Sequence, residues 1–212
     1  MGGSTPKQFM LLGGTPVLQR TMEAFREALP QMRMIVVLPK ALFSQWNDLC
    51  LRYPFNCPHT LVEGGLTRFH SVRNALEKVP PGAVVMVHDG VRPLLSKEMI
   101  VRMSRLEEGC RALVPALPVT DTLRSKDPSK PDPDRSSMLA VQTPQVFLSE
   151  DLKAAYSQAF QTSFTDDASV AAQMKIPICI TEGEKFNIKL TTPEDMLLAE
   201  AILYLKKKAQ QL

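Results

Sequence analysis

The 212-residue chain has only four cysteines, Cys50, Cys57, Cys110 and Cys179, and no two of them stand in C-x-x-C spacing. Neither a zinc site nor a disulfide framework is therefore expected, and a reducing cytoplasm is the default compartment. The chain also lacks any apolar run approaching the ~20 residues needed to span a bilayer, and its N-terminus lacks the charged-then-apolar pattern of a signal peptide. An excess of charge is missing too. The 25 basic and 22 acidic residues give a formal net of +3, and the only dense basic cluster is Lys206 to Lys208. That is too little for a nucleic-acid footprint, so phosphate binding should be local. Two nucleotide-binding signatures are absent: there is no G-x-x-x-x-G-K-[ST] and no G-x-G-x-x-G, which disfavours P-loop NTPases and Rossmann dehydrogenases.

What is present is a core-forming composition with a regular rhythm. A chain of this length with 44% hydrophobic residues can bury a full core as a single domain over 1–212. From Thr15, helix-period and strand-type segments alternate. Val17, Leu18, Met22, Phe25 and Leu29 fall on one side of a helix that Pro16 can open. "RMIVVLP", "HTLVEGG", "AVVMVH" and "RALVPAL" read as buried strands, with helices expected through Leu51, from Thr67 to Val79 and from Ser96 to Gly109. Later, Ser149 to Phe160, Asp166 to Met174 and Pro193 to Lys207 read as helices, and "IPICIT" and "FNIKL" as strands. Such alternation predicts an α/β fold with a doubly wound, mostly parallel sheet. Residues 118–142, rich in proline and charge and poor in core residues, should leave the sheet as an excursion.

The chemistry-bearing residues cluster where such a fold binds ligands. "VVMVHDGVRPLL" ends an apolar strand with His88, Asp89, Gly90 and Arg92 together, at the carboxyl end where open α/β sheets form their ligand crevice. Asp89 there suits Mg²⁺, which takes one or two carboxylates and completes its shell with substrate phosphates. The alternatives are that Asp89 caps a helix or pairs with Arg92. His88 should support the site from beneath instead of acting as a base. Lys7, in the small-residue loop "GGSTPKQF", can place a point charge beside a phosphate, or simply be solvated. Gly64 and Gly65 in "EGGLTRFHSVRNAL" offer backbone groups to a base edge with Ser71 nearby, unless this is an ordinary strand-to-helix turn. "TDDASV" marks a capped helix start, and "NIKLTTPED" delivers Lys189 ahead of another.

In order, "PKQF", "GGLTRFHSV", "HDGVRP", "PVTDT", "DR", "QTPQ", "TDDAS" and "NIKLTTPEDMLLAE" resemble the motifs of the 2-C-methyl-D-erythritol 4-phosphate cytidylyltransferases, CTP-dependent enzymes of non-mevalonate isoprenoid synthesis. The resemblance covers essentially the whole chain. It implies a Rossmann-like nucleotidyltransferase in which the substrate phosphate attacks the α-phosphorus of CTP. Lys7 would stabilise the transition state, and Asp89 would ligate Mg²⁺ or another divalent cation. Gly65 and Ser71, with Gly64, would hold the cytidine, while Thr143 and Lys189 would lie beside the phosphates. The excursion over 118–142 would be a β-arm crossing to a second subunit of a homodimer. Thr122 and Arg135 would then bind methylerythritol phosphate in the partner's site, with Arg92, Thr165 and Lys189 completing the substrate set.

One departure stands against this pattern. The family begins with an apolar strand and a glycine-rich loop whose arginine partners the lysine at Lys7, and this strand and arginine are absent ahead of Met1. A doubly wound sheet without that first, central strand, and weak activity for the chain as it stands, are the resulting expectations. Ribitol-5-phosphate cytidylyltransferase is the nearest alternative, with "HDGVRP" and "TDDAS" fitting the methylerythritol enzymes better. A non-catalytic CTP-binding protein is the other, opposed by the retention of Lys7, Asp89, Arg135 and Lys189.

Overall fold

The computed structural model describes residues 5–209. Gly2 and Gly3 of the expected phosphate loop lie outside them. The described chain begins with a single 3-10 turn at Lys7–Phe9 and a two-residue hairpin, β1 (Leu11–Leu12) and β2 (Thr15–Pro16). Gly13 and Gly14 form its turn with φ of 57° and 81°, a left-handed pair that side-chain-bearing residues adopt only with strain. Helix α1 (Val17–Ala28) then buries Val17, Leu18, Met22 and Phe25, the face expected from their spacing. Strand β3 (Met34–Leu38), helix α2 (Phe43–Arg52), strand β4 (His59–Glu63) and helix α3 (Arg68–Leu76) follow. β3 and β4 pair in parallel from Met34↔His59 to Leu38↔Glu63.

The second sheet is built from β5 (Val84–Val87), β6 (Ala112–Pro118), β7 (Leu139–Val141), β8 (Gln145–Leu148) and β9 (Ile178–Glu182). β9 lies parallel to β6, whereas β8 runs antiparallel between β5 and β6. β5, β6 and β9 thus share one direction, and helices α4 (Lys97–Met103), α5 (Ser149–Tyr156), α6 (Asp167–Gln173) and α7 (Pro193–Ala209) complete the layers. β7 pairs with the far end of β6 at Ala116–Pro118, and is where the excursion over 118–142 rejoins the sheet. The α/β, mostly parallel architecture is as expected.

The two sheets are not hydrogen-bonded to each other among the described residues. Between β3 and β5 lies a cavity of ≈ 1100 Å³, walled by residues 31–39 and 83–91 and closed by α1 and α3.

Four expectations are corrected. "FNIKL" is not a strand: Asn187 N–H closes a turn onto the Glu184 carbonyl, and the Asn187 carbonyl accepts from Arg92, so its backbone is engaged outside any ladder. "QVFL", missed as a strand, is β8, a four-residue segment in which Gln145, Val146 and Phe147 are all buried. Helix α4 ends at Met103, well short of Gly109, which sits at φ 80° in the turn before β6. The last correction concerns the thiols: Cys110 and Cys179 form a disulfide, although 69 residues separate them. Parallel pairing of β6 with β9 sets Leu113 opposite Cys179 and so brings Cys110 to it, an adjacency that no local spacing encodes.

Candidate active site

The site is assembled at the end of β5. Its four apolar residues are not buried as expected, Val84 being exposed and Val85, Met86 and Val87 half-buried, and the chain turns as soon as the strand ends, with Arg92 N–H donating to the Asp89 carbonyl. A side chain at Gly90 would meet Leu18 of α1 at 2.8 Å, and its carbonyl accepts from Thr21 of α1. This glycine therefore serves the packing of the turn on α1.

Three cations converge on the Asp89 carboxylate. Lys189 Nζ lies 3.0 Å from Oδ2 and Arg92 Nε 3.3 Å from the same oxygen, while Arg68 Nε stands 3.8 Å from Oδ1. Burial opposes the charge of Asp89, but Lys189 first, then Arg68 and Arg92, more than offset it and hold its pKa below the usual carboxylate range. The expected pairing with Arg92 is real but is one contact of three. Arg92 is fixed from its other side by donating to the Asn187 carbonyl at 2.7 Å.

His88 and Thr143 are supports. Asp89 N–H donates to Thr143 Oγ1 at 3.1 Å, and that oxygen lies 3.0 Å from His88 Nδ1. His88 Nε2 lies 3.1 Å from the Arg92 carbonyl, which can only accept, so Nε2 carries the proton and the Thr143 hydroxyl donates to Nδ1. Burial lowers the His88 pKa to about 4, leaving the ring neutral at physiological pH. Thr143 is buried, and its hydroxyl is engaged on both sides by Asp89 N–H and His88.

On the facing wall, Gly64 N–H donates to the Leu38 carbonyl and Gly65 N–H to Ser71 Oγ, joining the ends of β3 and β4 to the start of α3. A Cβ on Gly65 would stand 2.4 Å from that of His70, so only glycine allows this turn to close on the helix. Arg68, Ser71, Asp89 and Gln8 all face the central cavity. Lys7, beside Gln8, is half-buried and makes no ion pair among the described residues.

Other expected residues are not brought to this ledge within one chain. Thr122 and Arg135 sit on the exposed excursion, where Arg135 donates to the Thr120 carbonyl at 2.8 Å. Thr165 is exposed, with its N–H donating to Ser169 Oγ of the α6 capping box. Arg68, expected near the start of its helix but given no role, lies in two-pronged contact with Asp167 at 3.0 and 2.6 Å; residues that the sequence reading missed are Gln142, Glu184 and Asn187, which knit the Lys189 loop to the base of the excursion. Arg68 and Asp167 are 99 residues apart, and the only visible signal is a charge in the first turn of each helix.

For a metal, Asp89 stands alone. Among the described residues no three His, Cys, Asp or Glu side chains gather. The donor set fits a hard cation that takes one carboxylate oxygen and draws its remaining ligands from a polyphosphate.

The chain matches the family model described as 2-C-methyl-D-erythritol 4-phosphate cytidylyltransferase over residues 1–205. The chain belongs to this family. A relative of that name from Bacteroides thetaiotaomicron is 45% identical over 204 residues, covering 96% of this chain and 93% of the relative. The enzyme of the same name from Porphyromonas gingivalis is 46% identical, covering 96% and 91%. Among solved structures, that of the Thermus thermophilus 2-C-methyl-D-erythritol 4-phosphate cytidylyltransferase superposes with a TM-score of 0.75 at 33% identity, covering 94% of each chain. The 4-diphosphocytidyl-2C-methyl-D-erythritol synthase of Anaerococcus prevotii superposes with 0.81 at 27% identity, covering 96% of this chain and 92% of its own. By membership the protein is a nucleotidyltransferase of the cytidylyltransferase type, and the ribitol-phosphate and non-catalytic alternatives are not favoured.

Proposed function

We propose that the protein transfers the cytidylyl group of CTP to 2-C-methyl-D-erythritol 4-phosphate at the ledge that ends β5. The observation that carries this reading is the convergence of Lys189, Arg92 and Arg68 on Asp89 at the sheet's ligand edge. A phosphate oxygen of the substrate attacks the α-phosphorus of CTP in line, and the bond from the α-phosphorus to its bridging oxygen breaks. The products are 4-diphosphocytidyl-2-C-methyl-D-erythritol and pyrophosphate. A phosphate monoester has its second pKa near ~6 and is already largely dianionic at neutral pH, so no general base is needed. The neutral His88 agrees with that, because its ring hydrogen bonds are already engaged within the protein.

Catalysis then rests on alignment and on neutralising the charge that builds in transfer. Lys189, whose side chain is 43% exposed, can turn from Asp89 toward the attacking phosphate. Lys7 contributes a second cation from the N-terminal turn. The Gly64–Gly65 turn and Ser71 read the base; their N–H groups are engaged within the protein, which leaves the carbonyls for the cytosine amino group. Asp89 would hold Mg²⁺ or a similar cation, which when bound draws charge from the triphosphate and its leaving group.

The excursion over 118–142 is the arm of a homodimer, presenting Thr122 and Arg135 to the partner's site with Arg92, Thr165 and Lys189. Its exposed Met138, Leu139 and Val141 give that arm an apolar edge to bury. The expected compartment is the cytoplasm; no helix among the described residues is long and apolar enough to cross a membrane. The test is pyrophosphate release from CTP with Mg²⁺ and each polyol phosphate. Release with methylerythritol phosphate, and little with ribitol 5-phosphate, is expected. Equal or greater release with ribitol 5-phosphate overturns the substrate assignment.

A further inference from the structure

Arg68 occupies the first turn of α3, one helical turn before Ser71, and its side chain reaches in two directions. On one side its two terminal nitrogens meet both oxygens of Asp167, a fully buried carboxylate at the start of α6. Asp167 also accepts a 2.5 Å hydrogen bond from Tyr156, itself buried in the core. Burial opposes the charge of Arg68, and Asp167 more than offsets it, so the guanidinium's pKa is raised. On the other side, Arg68 Nε stands 3.8 Å from Asp89 Oδ1, the oxygen that Lys189 and Arg92 leave uncontacted.

The anchor behind Arg68 is itself fixed. Gln145 of β8 donates to Asp166 at 2.7 Å and accepts from Ala168 N–H at 2.8 Å, and the capping box of Asp166 and Ser169 closes the helix start. Asp167 therefore has little freedom to follow the arginine, and a two-pronged arginine–carboxylate contact fixes the plane of the guanidinium as well as its place.

We propose that Arg68 is a positioning residue for the nucleotide: clamped by Asp167, it fixes the turn that faces the base relative to the carboxylate that faces the phosphates. α3 carries Ser71, which holds Gly65, and Arg68, which faces Asp89. Base-facing and phosphate-facing groups thus lie on one rigid helix start. The proposal rests on the assignment of Asp89 and Ser71 to the CTP site, and it concerns CTP alone; the polyol phosphate should be unaffected.

The variants must separate this role from stability, because Arg68→Met alone leaves Asp167 buried and unpaired. Arg68→Lys keeps a charge for Asp167 but loses the planar fork that serves both sides. The double variant Arg68→Met with Asp167→Asn removes both charges together. Both should keep a melting temperature within a few degrees of the unaltered protein. CTP affinity by calorimetry with Mg²⁺ should weaken about tenfold or more in each, as supporting-residue changes around a ligand site commonly do. In pyrophosphate release, KM for CTP should rise with it while KM for methylerythritol phosphate stays the same. If both variants melt normally and bind CTP within twofold of the unaltered protein, Arg68 serves only the fold. Weak CTP binding with an equal rise in KM for methylerythritol phosphate would also overturn the proposal. Loss of pyrophosphate release by the unaltered protein with methylerythritol phosphate, with CTP binding intact, would count against the substrate assignment and leave this comparison readable by calorimetry.

Discussion

The end of β5 and the arm that leaves β6 are both rich in charge, but the charges are held differently. At Asp89 two of the three partners come from distant segments, Arg68 from α3 and Lys189 from the loop before α7, and join Arg92 of the following turn. In the arm they are near neighbours: Arg124 with Asp132, Ser129 with Asp127, Ser136 with Asp134. Half-buried, cross-linked charges form a site within one chain. Exposed charges satisfied within a few residues shape a loop, on which Thr122 and Arg135 are exposed. On the proposed reading the ledge takes the nucleotide within one chain, and the arm takes part in substrate binding only through a second subunit.

The largest expected effect comes from neutralising the ledge. Asp89→Asn removes the anion that gathers Lys189, Arg92 and Arg68 and the one carboxylate offered to a metal. Loss of kcat/KM by about a hundredfold to a thousandfold is expected in pyrophosphate release, comparable to removing a transition-state donor. A loss below about threefold would put the chemistry elsewhere. Arg135→Ala on the arm should act more narrowly, raising KM for methylerythritol phosphate about tenfold or more while calorimetry finds CTP binding unchanged. Unchanged sugar-phosphate kinetics would remove the arm from the site.

A third difference lies in response to acid. His88 is neutral and half-buried, with its pKa lowered by desolvation from 6.5 to about 4. The unfolded chain therefore binds the extra proton first as pH falls. Stability from this group is complete above about pH 6.5, is lost progressively down to about pH 4 and changes no further below that, a loss on the order of 3 kcal/mol. His88→Gln, whose amide can still donate to the Arg92 carbonyl, should flatten the fall in denaturation midpoint over that window. An unchanged slope would show that His88 is not the group responsible. The smallest effect belongs to the arm's own ion pair: Asp132→Ala should change stability by less than about 0.5 kcal/mol in denaturant titration, as exposed pairs usually do. A cost of about 2 kcal/mol or more, on the order of a buried contact, would mean that the arm is packed in solution.

The same division governs how much was legible in the sequence. The parallel strands and their helices were readable because apolar runs such as Val84–Val87 and the face of α1 carry their period locally. Asp89 was readable because it follows such a run directly. β8 was hidden because Gln145, Val146 and Phe147 are buried in succession and follow a stretch of proline and polar residues, so neither alternation nor length marks them. Asn187 to Leu190 looked like a strand by composition, yet tertiary hydrogen bonds to Arg92 and Val91 take its backbone. The Arg68–Asp167 clamp and the Cys110–Cys179 bridge link segments far apart in sequence, and nothing local at either end announces the other. Within "QTPQ", Thr143 and Gln145 support Asp89 and the start of α6, contacts that the motif alone does not announce.

Mixing two defective variants tests most directly the claim that one subunit's ledge works with the other's arm. In a dimer of Asp89→Asn and Arg135→Ala subunits, one site receives both changes and the other neither. After subunit exchange, each variant alone retaining about a tenth of the activity or less at low methylerythritol phosphate, the equimolar mixture should recover about a quarter of the unaltered protein's pyrophosphate release under that condition. No recovery beyond the average of the two variants, after exchange has been verified, would contradict the account and place Arg135 either in its own subunit's site or in none.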